Sequence, residues 1–144
     1  MVTVAETKDK VQRFLTQIAS VNIDENGRYS IRQGSARVFV SVEELGDDHT
    51  WVKLVCPLVW EATITPELYE YIAINSDLYK YGTLSVVVDS DDSSKANIFF
   101  TYGMLGSTLD PDELQLAVGL IANTADELDD ELKTRFDGRR FHED

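Results

Sequence analysis

Between residues 36 and 60, apolar side chains recur at every second position on both sides of a Gly46-Asp47-Asp48 turn: Val38, Val40 and Val42 before it, Val52, Leu54, Cys56, Leu58 and Trp60 after it. A period of two belongs to a pleated strand and not to a helix. The segment is expected to form two long strands joined at the turn, and the rest of the chain has to be arranged around that pair. Tyr29 and Ile31 alternate with Ser30 and Arg32 in a shorter strand, set off by the turn signals Asn26-Gly27 and Gly34-Ser35. Two more strands are expected over residues 83–89 and 97–104, joined by the polar hairpin loop of residues 89–94.

Three segments carry the helical period, each with its own start signal. Thr3 and Glu6 have capping-box spacing ahead of Val11, Phe14, Leu15 and Ile18. Thr65 and Pro66 open a second helix that runs through Leu68, Tyr71 and Ile72 to about Asn75. Asp110, Pro111 and Glu113 open the third, with Leu114, Ala117, Val118, Ile121, Ala125, Leu128 and Leu132 on one stripe and Gly138 as a stop. A helix of that span is about 40 Å long, longer than a five-stranded sheet requires, so its end is expected to project or to pack on a partner. The order αβββαββα with short connections points to a single α+β domain over residues 1–144, an antiparallel sheet of about five strands packed by helices.

Charge removes several function classes. The chain holds 13 Lys and Arg against 26 Asp and Glu, a net charge of −13. Such a chain repels phosphate backbones and anionic lipid, so neither nucleic acid nor a membrane is expected as partner, and basic protein partners are favoured. No stretch approaches the roughly 20 apolar residues of a membrane span, and residues 1–10 carry no apolar signal core. With the single cysteine, Cys56, this fits a reducing cytoplasm.

No catalytic, metal or cofactor motif stands out. His49 lies in an acidic turn and His142 near the C-terminus, neither beside a nucleophile in sequence. Cys56 shares a strand face with apolar neighbours, where a thiol is inert. Asp89, Asp91 and Asp92 resemble the start of a calcium loop, but Ser94 and Phe100 occupy the positions that need glycine and a bidentate acid. Gly103 and Gly106 lack the lysine of a phosphate loop and are expected to end a strand. The acids of residues 126–131 have the composition of a solvated helix face, not of a desolvated acid–base pair.

The second face of the sheet is not what a solvated face should be. If the even-numbered strand residues face the helices, the odd-numbered ones face away: Phe39, Trp51, Val55, Val59, Val87 and Phe99, interleaved with Arg37, Ser41, Lys53, Ser85 and Thr101. A solvated sheet face is almost wholly polar. Exposed apolar patches mark interaction sites, and Trp, Phe and Arg dominate interface energetics. Phe39, Trp51, Val55, Val59, Val87, Phe99, Arg37 and Lys53 are therefore the candidate partner or dimer interface. The competing expectation is that the second helix or a loop covers this face.

The stretch Tyr69-Glu-Tyr-Ile-Ala-Ile-Asn75, followed by Leu78 and Gly82-Thr-Leu-Ser-Val, is similar to a helix ending in Asn and a glycine-led return strand of the YbjN family of bacterial proteins. Leu109 to Leu114 and Ala125 to Leu128 look like that family's final helix, and Phe14-Leu15, the Asn-Gly turn and Tyr29 fit its opening. The order of elements resembles the type III secretion chaperone-like fold. The resemblance implies a non-enzymatic, cytoplasmic, homodimeric protein that holds apolar client segments in extended form. It transfers no functional residue and names no client. A regulatory subunit with one dedicated partner, a small-molecule-binding domain and an enzyme using acids alone are the alternatives.

Overall fold

Each helix begins at the residue expected to cap it. The Thr3 hydroxyl accepts the Glu6 amide at 3.1 Å, Thr65 accepts Leu68 at 3.2 Å, and the Asp110 carboxylate accepts Glu113 at 2.8 Å. These bonds satisfy amides that the first helical turn leaves without partners. The computed structural model describes residues 2–140. Among them the order is α1 (Val4–Thr16), β1 (Asn22–Ile23), β2 (Tyr29–Gln33), β3 (Ala36–Leu45), β4 (His49–Thr63), α2 (Pro66–Asn75), β5 (Thr83–Val88), β6 (Lys95–Leu105), α3 (Pro111–Arg135) and β7 (Arg139–Arg140).

The strands form one antiparallel sheet in the order β1-β2-β3-β4-β6-β5, with β7 added beside the end of β4. The five expected strands are present. The two-residue strands β1 and β7 extend the sheet to seven among the described residues. The architecture is α+β and agrees with a chaperone-like fold.

All three helices pack on one face. There Leu54, Cys56, Ile98 and Phe100 are fully buried against Leu114, Ile121 and Leu132 of α3. Each such side chain contributes about 1.5–3 kcal/mol by leaving water. Thr7 of α1 and Thr50 of β4 share a buried hydrogen bond of 2.7 Å, which ties the first helix to the same face. Tyr79 meets Phe100 edge-on at 5.1 Å. An added β-carbon on Gly82 would come within 2.5 Å of the Phe100 ring, so the chain after α2 also closes over the helix side.

The end of α3 does not project. Phe136, at its C-cap, is buried and packs edge-on against Tyr71 of α2 at 5.5 Å, while Arg135 pairs with Glu67 at 3.1 Å. The extra length of α3 reaches the second helix of its own chain. The acids of residues 126–131 are not all solvated either. Asp126 accepts the Ser35 amide at 2.9 Å, and the Ser35 hydroxyl also meets Asp126 and Asp129; the Asp129 contact is 2.9 Å and that residue is buried. These carboxylates anchor the β2–β3 turn to α3. The loop of residues 89–94 supports itself, with Asp89 accepting the amides of Asp91 and Asp92 and Asp92 accepting that of Ser94.

Candidate functional site

Strand register decides which side chains share the face opposite the helices. Directly paired residues of antiparallel strands point the same way. Phe39 pairs with Val55, Val55 with Thr101, and Thr101 with Thr83, giving one continuous row. Trp51 pairs with Glu43 and Leu105, Lys53 with Ser41 and Gly103, and Phe99 with Pro57 and Ser85. On this face Phe39, Trp51, Val55, Phe99 and Arg37 are half-buried, and Lys53 and Val87 are exposed. No helix packs on it among the described residues.

Val59 is the exception. The β4–β6 register shifts between Pro57 and Val59 and again before Ala62. The first shift pairs Val59 with Ile98, a core residue, so Val59 turns to the helix side and is fully buried. It belongs to the core and not to the open face. A bulge of this kind reverses the side-chain parity that follows it. Trp60, expected on the helix side, is only half-buried and meets Phe99 edge-on with ring centroids 5.5 Å apart. Trp60 thus replaces Val59 among the candidate residues.

The face has relief. The Trp51 indole lies over Gly103, which carries no side chain to push it away. Next to it a groove of about 430 Å³ is lined by Trp51, Lys53, Asp77, Lys80, Tyr102 and Gly103 among others. It forms because β5 begins at Thr83, opposite Thr101, whereas β6 runs on to Leu105 and pairs there with β4 alone. At the other side, the Arg28 guanidinium stacks 4.3 Å from the Phe39 ring centroid. Asp24 holds that arginine by its Nε at 3.1 Å and accepts the amides of Asn26 and Arg28. The Arg28 amide is the largest influence that keeps the Asp24 carboxyl below its ordinary pKa.

The nucleophile candidates lie elsewhere. Cys56 faces the core, and burial, with Asp129 adding to it, pushes its thiol up to about 12. His49 Nδ1 meets Ser107 Oγ at 3.0 Å across an exposed corner, a pairing that sequence distance concealed. His142 lies outside the described residues. No group of three metal-ligating side chains occurs among the described residues, and no helix there is long and apolar enough to cross a membrane.

Sequence reasoning missed Trp60, Arg32, Lys80 and Gly103. Register could have found Arg32, since Arg32 pairs directly with Arg37. Trp60 could not be found without the bulge.

A search of curated proteins finds no match. The family model of the T3SS (YopN, CesT) and YbjN peptide-binding chaperone 1, TY-Chap1, matches residues 5–144. That span takes in every helix and strand but the first residue of α1. It agrees with the YbjN and secretion-chaperone resemblance, and a peptide-binding chaperone family carries a protein-binding role. The chain belongs to the T3SS and YbjN peptide-binding chaperone family.

Proposed function

We propose that this protein is a non-enzymatic, chaperone-like holder of partner segments, and that it seats an apolar stretch of the partner in extended form on the open face of its sheet. The observation that carries this reading is the row Phe39, Val55 and Thr101, flanked by Trp51, Phe99 and Trp60, on a face that no helix covers among the described residues. Apolar area withdrawn from water there contributes about 25 cal/mol per Å² before the entropy lost on association. Half-buried aromatics suit the task, since they offer contact area with few rotamers to freeze.

A homodimer belongs to the same reading. Ile74, at the end of α2, is 66% exposed and Leu78, just beyond it, is 68% exposed, an apolar pair on which two copies can join. Sedimentation of the protein and of Ile74→Asp tests this: a dimer that the substitution splits supports it, and a monomer at high concentration refutes it.

The test of the main reading is Trp51→Asp. The variant is expected to keep its helix content and melting temperature near those of the parent and to lose capture of extended apolar peptides. Unfolding of the variant would make Trp51 a core residue and end the proposal.

A further inference from the structure

The net charge of the chain is not the charge of the open face. Register places Arg32, Arg37 and Lys53 there, and Glu43 at the rim is the acid that regular pairing adds. Arg28 joins them over the Phe39 ring, already paired with Asp24. Lys80 lines the groove beside Trp51, together with Asp77. Against these five cations stand Asp24, Asp77 and Glu43, so in a chain of net charge −13 this face still carries more cations than acids among its aromatics.

Two details make these cations more than scattered surface charge. Arg32 and Arg37 sit directly opposite each other across β2 and β3. Like charges in that position are destabilising unless an anion lies between them. Arg37 donates to the Ser30 hydroxyl at 3.1 Å, and neither arginine, nor Lys53, forms an ion pair among the described residues. The spacing is also regular. Lys53 pairs with Ser41, four residues along β3 from Arg37, with Phe39 midway. At about 3.3 Å per residue, the two cationic positions lie about 13 Å apart along the strand, with the Phe39–Val55 row between them.

We infer that the open face selects an extended partner segment with acidic side chains at positions i and i+4 and an apolar side chain at i+2. In an extended chain those three point to one side with the same spacing. The apolar residue meets Phe39 and Val55, and the carboxylates meet the Arg32–Arg37 pair and Lys53. This rests on the proposal that the open face holds partner segments, and it reverses the expectation of basic partners drawn from whole-chain charge. Complementary charge of this kind sets specificity and association rate more than raw affinity.

Trp51 and Trp60 are the chain's two tryptophans, and both line this face, so their emission reports its occupancy. Three synthetic peptides of equal length, with the same apolar positions and Glu, Gln or Lys at the flanking ones, are titrated into the full chain. The Glu peptide is expected to bind about tenfold tighter than the Lys peptide, as a few exposed charge pairs allow, and added salt should erode the difference. The double variant Arg32→Glu with Lys53→Glu, both exposed positions, should fold as the parent does and invert the order. Equal binding of all three peptides would overturn the acidic selection and leave the holding proposal standing. Binding of none would overturn both. A single-stranded oligonucleotide that displaces the Glu peptide would show the cations to be a phosphate site and also overturn the inference.

Discussion

The Trp51 indole lies across Gly103: a β-carbon on that glycine would come within 2.5 Å of the indole Cε2 and 2.7 Å of its Nε1. Residue 103 has to be small for Trp51 to lie flat and form one wall of the groove. Gly103→Ala is expected to lift the indole off the sheet. Because the ring is only half-buried, it can swing outward, and the stability cost should be about 1 kcal/mol, at the low end of overpacking effects. Tryptophan emission should shift to the red and peptide affinity should fall. Unchanged emission would place the indole elsewhere.

The bulge in β4 separates two valines that sequence reading grouped together. Val59 is fully buried and Val87 is 53% exposed. Val59→Ala should cost about 2 kcal/mol in chemical denaturation, from lost burial and the cavity left behind. Val87→Ser should change stability by less than about 0.5 kcal/mol. Equal effects would show that the parity does not reverse at the bulge.

Ser35 joins the β2–β3 turn to two carboxylates of α3. Removing its hydroxyl takes one hydrogen bond from each of Asp126 and the buried Asp129. Ser35→Ala is expected to cost about 1–3 kcal/mol, the range for hydrogen bonds to charged groups. An unaffected melting temperature would mean the contact contributes nothing.

Burial disfavours the charged form of Cys56 and raises its pKa from 9.0 to about 12. Below pH 9 the thiol is protonated in both folded and unfolded chains, and its contribution to stability is fully present. Between pH 9 and 12 the unfolded chain releases the proton while the native one keeps it, so stability falls as pH rises. The parent should therefore lose more stability across that window than Cys56→Ala. Tyr29, Tyr71, Tyr79 and Tyr102, also raised chiefly by burial, act equally in both proteins. Native Cys56 should also resist alkylation at neutral pH. Parallel pH profiles or rapid labelling would contradict its burial.

Much of this was legible in the sequence because its signals are local. Thr3, Thr65 with Pro66, and Asp110 with Pro111 announce the helix starts within four residues, and the alternation from Val38 to Leu54 fixes two faces without reference to anything distant. What was not legible depends on contacts remote in the chain. Leu58, Val59 and Trp60 are all apolar, so nothing in their order reveals where the parity reverses; pairing with Ile98 decides it. Asp126 and Asp129 read as solvated because their partner, Ser35, lies some ninety residues earlier. The end of α3 read as surplus length because Tyr71 of α2 was not known to meet Phe136. The sign of the open face stayed hidden behind a whole-chain sum until register showed which charges share a side.

The most direct check is nuclear magnetic resonance on isotope-labelled protein, following the two indole N–H signals while an extended apolar peptide with flanking acids is added. Saturable movement of both, accompanied by backbone amides of Val55 and Thr101 and little change along α3, is the expected result. Indole signals that stay fixed while Leu116 and Leu120, the exposed leucines of α3, respond would place the binding surface on the helices and contradict the open-face reading.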